Sequence, residues 1–446
     1  MNSFHDPIPD ARPPCQLVPE LAGANHLCAL DAGREEGWGS APGAAGPLRS
    51  VLAADPEVVF AGGLEALKEA QSWLAPAPGR PRHDAILVGA LSYDLAREYT
   101  ALPARRAPHP DEPLPGVWLA GFRAHYRHDP ATGRGAVVGS DARAGAALGE
   151  RIRAARADAA PFDRAQTTTY GRPSSRTSDS AFIEQVGAVL RWIRAGDVYQ
   201  VNLSRRLEIP GVPPLRLPRL YAALAARHPA PFSAYLDAGT HVVLSNSPER
   251  FLRVEGARVE TCPIKGTRPR ADSPAADRRL ARELASSAKD QAEHLMIVDL
   301  ERNDLGRVCE IGSIEVARLA ALRSFSRVHH LVSSVQGRLR DPGDWMRLFT
   351  STFPCGSITG APKLRAMQII DELEPVRRGA YTGAIGIFDA AGGIDLSVAI
   401  RTALARAGRL ELALGGGIVA DSDPAAELRE THDKGAAFAE LWSGAA

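Results

Sequence analysis

Lys265 opens the search for chemistry. It sits at the end of the second strand of a hairpin, turning at Glu255-Gly256, that alternation predicts within SNSPERFLRVEGARVETCPIKGTRPR (residues 245–270). A lysine between Ile264 and Gly266 can be desolvated, and a desolvated amine gives up its proton and becomes a nucleophile. Gly266, lacking a Cβ, lets the backbone approach a ligand closely. Taken alone, such a lysine is more often a surface residue in a turn. Composition sharpens the choice, because the chain has five lysines against 48 arginines. A bias that strong replaces lysine wherever a guanidinium serves, and a guanidinium cannot serve as a neutral amine. In the same segment Glu249 sits just past a strand end, next to Pro248.

Two carboxylate pairs recur at helical spacing. Asp290 and Glu293 share one helix face with His294, and Glu427 and Glu430 repeat the spacing with Lys434 one turn on. Taken singly, each pair is the ordinary solvated face of a helix. Together they suit a hard divalent cation such as Mg²⁺, which prefers oxygen ligands. FPCGSITGAPKLRAM (353–367) places glycines and hydroxyls before a helix start at Pro362, in the manner of an anion-binding helix N-terminus. Gly415, Gly416 and Gly417 read as a tight bend or a close approach of backbone to ligand at a strand end. There is no P-loop spacing, no GxGxxG fingerprint and no nucleophile elbow.

The positioning elements follow from periodicity. Phe182, Val186, Val189, Leu190 and Ile193 predict an amphipathic helix capped at Ser180. VYQVNLSRRLEI and HVVLSNS predict strands, and residues 274–297 predict one long helix. The stretch from AIGIFD to GGGIV predicts an antiparallel meander. Strands joined by hairpins with helices between them argue an α+β fold with a large antiparallel sheet. Residues 143–160 predict an Ala/Arg helix. The small, polar run at 166–179 predicts a linker between an N-terminal half, 1–165, and a motif-dense region, 180–446.

Bulk properties narrow the class. Apolar residues make up 45% of the 446 and net charge is +1, the profile of a soluble domain with neither a nucleic-acid stripe nor a membrane patch. Cys15, Cys28, Cys262, Cys309 and Cys355 are odd in number and show no metal spacing, which suits reduced thiols in the cytoplasm. The N-terminus carries no secretory pattern, and no apolar run is long enough to span a membrane.

Taken in order, the blocks GDVYQVNLS, SPERFL, PIKGTRPR, AEHLMIVDLERNDLGRVC, VHHLVSSVQGRL, GSITGAPK, YTGAIG, IRT and GGGIVADSD resemble the chorismate-utilising enzymes. GALSYDLAREY (89–99) extends the resemblance into the N-terminal half. The resemblance implies an anthranilate-synthase-like α/β sandwich of two intertwined halves, with two large, mostly antiparallel sheets and helices outside. It implies chorismate bound beside Mg²⁺, with Glu293 and Glu430 as ligands and Asp290 and Glu427 in support. Arg401, Tyr381 and the amides of Gly415, Gly416 and Gly417 would take the enolpyruvyl carboxylate, which a planar guanidinium pairs well. Thr267, Thr359, Lys434 and His330 would line the cleft, His330 among the catalytic groups.

Within that family, PIKGT resembles the aminodeoxychorismate synthase branch, whereas anthranilate synthases carry alanine in place of Lys265. The resemblance implies that Lys265 attacks C2 of chorismate while Glu249 protonates the departing C4 hydroxyl, and that ammonia then attacks C4. Gln200 stands where the isochorismate and salicylate branch resembles a strand carrying a water-activating lysine, so ammonia is the expected nucleophile. The ammonia would come from a separate glutaminase subunit. The Leu-Leu-Glu-Ser block of tryptophan-regulated anthranilate synthases is absent. Three alternatives stay open here: an anthranilate synthase, a secondary-metabolite aminochorismate synthase and a non-catalytic scaffold for a glutaminase.

Overall fold

The computed structural model describes residues 4–32, 50–75, 84–102, 114–155, 171 and 173–442. The end of the helix predicted at 143–160, and residues 166–170 and 172 of the predicted linker, lie outside them. Two β-sheets dominate, one of 12 strands and one of 10 among the described residues. Every pairing in both is antiparallel. Each sheet takes strands from both ends of the chain. In the larger, Cys28–Asp31 pairs with Phe232–Asp237; in the smaller, Ile86–Leu91 pairs with Ala384–Asp389.

Alternation along the strands builds the layers. Ile86 and Val88 face a central core with Trp118, Ala120 and Ile385 from the smaller sheet and Leu30, Ala234, Leu236 and Val243 from the larger. Leu87 and Leu91 point the other way, into a second core covered by helices. The outer face of the larger sheet is likewise covered, by Leu217–Arg227 and Pro424–Trp442 among others. This is the predicted sandwich, with helices outside and a shared core between the sheets.

Local expectations fare unevenly. Asp179–Arg194 is helical and buries Phe182, Val186, Val189 and Leu190, but its cap is Ser178, whose hydroxyl accepts from Ala181 N–H, rather than Ser180. The single long helix is two, Pro274–Ser286 and Ala288–Gly306. Ser287 separates them in an extended conformation, and its hydroxyl caps the second by accepting from Asp290 N–H. The predicted meander also divides. Ala384–Asp389 and Ile394–Val398 belong to the smaller sheet, while Thr402–Arg406 and Arg409–Ile418 belong to the larger. The chain crosses between sheets at 399–401, and Arg401 there has a φ of 50°, an uncommon conformation for a side chain to accept.

Candidate active site

The crossing at Arg401 has a neighbour. Val242–Ser247 lies in the larger sheet and Arg250–Glu255 in the smaller, so the chain also changes sheets at Pro248-Glu249. The two crossings are hydrogen-bonded: Asn246 N–H donates to the Arg401 carbonyl, and Val398 N–H donates to the Glu249 carbonyl, both at 3.0 Å. Two polar residues that are distant in sequence are thereby fixed at the seam where the sheets part.

Lys265 lies on Ile264–Pro269, a short edge strand paired with Val328–Arg338, rather than at the end of the hairpin. The pairing is bulged: Lys265 opposes Leu331 and Thr267 opposes His330, with Gly266 left over at φ 75°. The missing side chain of Gly266 makes room for the flanking helices. A Cβ there would meet Leu284 at 2.8 Å and Asp290 at 3.2 Å, on the flanking helices. The bulge sends the Lys265 amine inward, where its hydrogen bond to the Ser357 carbonyl is long, at 3.3 Å. Burial pushes the Lys265 pKa down. Lys434 adds to that, while Glu249, Glu293 and Glu430 oppose it. The cationic neighbour is thus Lys434, whereas Arg401 acts on His330.

Glu249 is buried behind Lys265 and accepts a long hydrogen bond from Ile264 N–H. Burial pushes its pKa up; the Ser357 hydroxyl and Lys265 pull the other way. A carboxyl so placed tends to keep its proton, as a general acid requires. His330 is held neutral by burial and by Arg401, with its pKa lowered to about 3. Its Nδ1 lies 2.9 Å from the Thr267 hydroxyl and 3.2 Å from the Gly266 carbonyl. Its buried Nε2 has no hydrogen-bond partner among the described residues.

The three glycines are not at a bend. Gly415, Gly416 and Gly417 lie within Arg409–Ile418, in register with Ser204, Leu203 and Asn202 of Gln200–Pro210. Their lack of side chains makes a floor. A Cβ on Gly416 would sit 3.3 Å from Glu427 and 3.4 Å from Glu430, and one on Gly417 would sit 3.1 Å from Gln200 and 3.3 Å from the Lys265 amine. Gln200 is fully buried beside that amine, and neither its amide nitrogen nor its oxygen has a partner among the described residues. Leaving such a group unpaired costs roughly 1–3 kcal/mol, which marks a place kept for a ligand rather than for stability.

The carboxylate quartet frames the other side. Each member has its own partner: Asp290 accepts from Arg268 at 3.0 Å and Glu427 from the Ser422 hydroxyl at 2.6 Å. Glu430 pairs with Lys434 at 2.6 Å, and Glu293 lies 4.0 Å from Lys289. Lys434 also donates to the Gly415 carbonyl at 2.8 Å. Burial raises the pKa of Glu293 and of Glu427, and in each case Glu430 adds to the rise. Glu427 and Glu430 meet over Gly416, and Glu293 feels the charge of Glu430; oxygen donors that repel one another in this way fit a hard dication, which would replace the lysines as counter-charge.

Two expected site residues have polar or aromatic partners of their own. Thr359 is buried, with its hydroxyl shared between the Cys355 and Gly356 carbonyls of its own loop. Tyr381 packs under the Arg378 guanidinium at 5.9 Å and lines a small cavity with Thr177, Ser204 and Glu374.

One group went unnoticed in the sequence. Glu301 is buried, and ligand atoms of Glu249, Glu301 and Cys355 lie within 4.8 Å of one another. Burial, with Glu249 facing it, pushes the Glu301 pKa up to about 8. A signal was available: His294, Ile297, Val298, Glu301, Asp304 and Leu305 form the buried stripe of Ala288–Gly306, so Glu301 is an acid on an apolar face.

Known proteins resemble this arrangement. A family model described as chorismate binding enzyme matches residues 26–440. Anthranilate synthase component 1 of Streptomyces coelicolor is 41% identical over 383 residues, 82% of this chain and 74% of that protein. Aminodeoxychorismate synthase component 1 of Salmonella typhimurium is 50% identical over 253 residues, 56% of this chain and 55% of that protein. The crystal structure of anthranilate synthase component I from Streptococcus pneumoniae superposes with a TM-score of 0.76 at 26% identity, covering 90% of this chain and 94% of that one.

Proposed function

The chain belongs to the chorismate-binding enzyme family, and from that premise we propose that it aminates chorismate at C4 with ammonia, giving 4-amino-4-deoxychorismate. The observation that carries this reading is the Lys265 amine, inward-facing and held by one long hydrogen bond beside Glu249. Replacing the C4 hydroxyl by an amine at the same carbon, with the ring double bonds unchanged, is naturally two displacements. The Lys265 amine bonds to C2, both ring double bonds shift (C1=C2 to C1=C6 and C5=C6 to C4=C5), and the C4–O bond breaks with its electron pair on oxygen, which takes the Glu249 proton and leaves as water. Ammonia then bonds to C4, both double bonds return, and the lysine departs from C2 with the electron pair of the C2–N bond, while Glu249 recovers a proton from the new ammonium nitrogen. Gln200, a neutral amide, cannot deprotonate water, which favours ammonia as the external nucleophile.

Glu293 and Glu430 would hold Mg²⁺, with Asp290 and Glu427 supporting them. Bound there, the ion supplies positive charge for the ring carboxylate of the substrate. Arg401, the glycine floor, Tyr381, Thr267, Thr359 and Lys434 would orient the rest of it, with the enolpyruvyl carboxylate opposite Arg401. Ammonia would come from a separate glutaminase. Burial raises the pKa of Cys15, Cys28, Cys262, Cys309 and Cys355 alike, so none is poised as a glutaminase thiolate. Synthesis of anthranilate is the second reading, favoured by the relative that spans 82% of the chain. Product analysis after incubation with chorismate, ammonium and Mg²⁺ at alkaline pH separates the two. Expected is 4-amino-4-deoxychorismate; anthranilate as the product would overturn the assignment.

A further inference from the structure

We propose that Glu301 is a positioning residue for Glu249, the two buried carboxyl groups holding one proton between them so that Glu249 can deliver it to the departing hydroxyl. The inference rests on the reading of Glu249 as the general acid.

The geometry is a chain of short contacts closed off from solvent. The Thr261 hydroxyl donates to one Glu301 oxygen at 2.7 Å, and the Cys355 thiol donates to the other at 3.2 Å. The same thiol lies 3.4 Å from the Ser357 hydroxyl, which in turn hydrogen-bonds Glu249. Ser357 also accepts from Lys265 through its carbonyl, so one residue touches the acid, the nucleophile and the thiol. Glu249, Thr261, Glu301, Cys355 and Ser357 are each under 5% exposed, so water does not screen one carboxyl from the other.

Charge around the pair is sparse. Glu301 faces Glu249 and Asp304, and Cys262 and Cys355 lie close by. Asp304 has its own counter-ion in Lys363. Glu249 faces Lys265 and Lys434. Two carboxylates at this separation cannot both ionise cheaply, so the first proton leaves readily and the second is retained. The retained proton belongs to the pair. When Glu249 gives it to the leaving oxygen, both carboxyls are briefly ionised, and that strain is relieved when the ammonium nitrogen returns a proton. Atoms balance over the cycle: one proton leaves in water and one comes back from ammonia.

The test is the pH dependence of kcat/KM for chorismate at a fixed concentration of free ammonia, in wild type, Glu301→Gln and Thr261→Val. Glutamine keeps the shape of Glu301 and cannot share a proton. The alkaline limb is expected to fall by about one pH unit in Glu301→Gln. Thr261→Val removes only the hydrogen bond that favours ionised Glu301, so there the limb is expected to rise. A limb that stays in place in either folded variant, with rates scaled equally at every pH, means a merely structural role and overturns the proposal. Infrared titration of the resting protein needs no turnover. Expected is one buried carboxyl that is protonated above neutral pH in wild type and absent in Glu301→Gln; identical curves refute the shared proton. If wild type fails to convert chorismate while the infrared difference is present, the assigned reaction is wrong and the carboxyl pair stands.

Discussion

Lys265 and Lys363 both hydrogen-bond carbonyls of the stretch 352–357, and it treats them in opposite ways. Lys363 uses all three ammonium protons: one to Asp304 at 2.5 Å, one to the Pro354 carbonyl at 2.7 Å and one to the Thr352 carbonyl at 3.1 Å. Every ammonium proton thus has an acceptor of its own. Lys265 has one hydrogen bond at 3.3 Å, with burial working against its charge. Becoming neutral costs it one long hydrogen bond and the attraction of Glu249, Glu293 and Glu430, and gains it a lone pair. Both lysines survive in an arginine-rich chain, one as a three-pronged tie and the other as an amine that can react.

The contrast breaks most sharply in turnover. Lys265→Arg and Lys265→Ala are each expected to lose on the order of 10²–10⁴-fold in turnover, since arginine restores charge but no nucleophile. Mass spectrometry of intact wild type with chorismate and no ammonia should find an adduct of chorismate less one water on Lys265. An adduct elsewhere, or full activity in Lys265→Arg, removes the distinction between the two lysines.

Stability should divide the other way. Lys363→Met leaves Asp304 buried without its counter-charge and should cost about 3 kcal/mol in urea unfolding at neutral pH. Lys265→Met removes a desolvated amine and should change stability by at most about 1 kcal/mol. Burial has already raised the Asp304 pKa, and Lys363, followed by Arg307, opposes that rise. The Lys363→Met deficit should therefore shrink as pH falls and Asp304 takes a proton, because a neutral carboxyl no longer needs the lysine. A deficit that ignores pH would mean the lysine acts through packing alone.

The smallest effect tests the floor beneath Lys265. Gly417→Ala adds a methyl 3.3 Å from the amine and 3.1 Å from Gln200, displacing each by a few tenths of an ångström. About a tenfold loss in turnover is expected, with little change in melting temperature. Unaltered kinetics would show that the amine does not work at that place.

Much of the fold was legible because β-alternation and helix periodicity are local. The hairpin of Arg250–Glu255 and Arg258–Cys262 and the helix Asp179–Arg194 appear where the pattern puts them. Sheet membership was not legible. The run from Ala384 to Ile418 alternates throughout, and nothing in it says that the chain changes sheets at Arg401. The break at Ser287 was hidden for a related reason: a serine interrupts apolar periodicity too weakly to be seen, yet its hydroxyl satisfies an N–H at a new helix start.

What the sequence by itself determined is a set of capacities. An amine persists at Lys265 among arginines, oxygen ligands recur at helical spacing, and glycines at 415–417 leave room for something else. Tertiary structure decided what those capacities meet. Proton affinity and reactivity depend on burial and on charges a few ångströms away, and neither is a function of distance along the chain. Lys265 is near Glu249 because a bulge turns it inward beside a sheet crossing, and Glu249 is near Glu301 because a helix packs its buried stripe under that crossing. The residues carry the capacity for chemistry, but only the folded distances decide which of them is placed to act as acid or nucleophile and which is merely tied down.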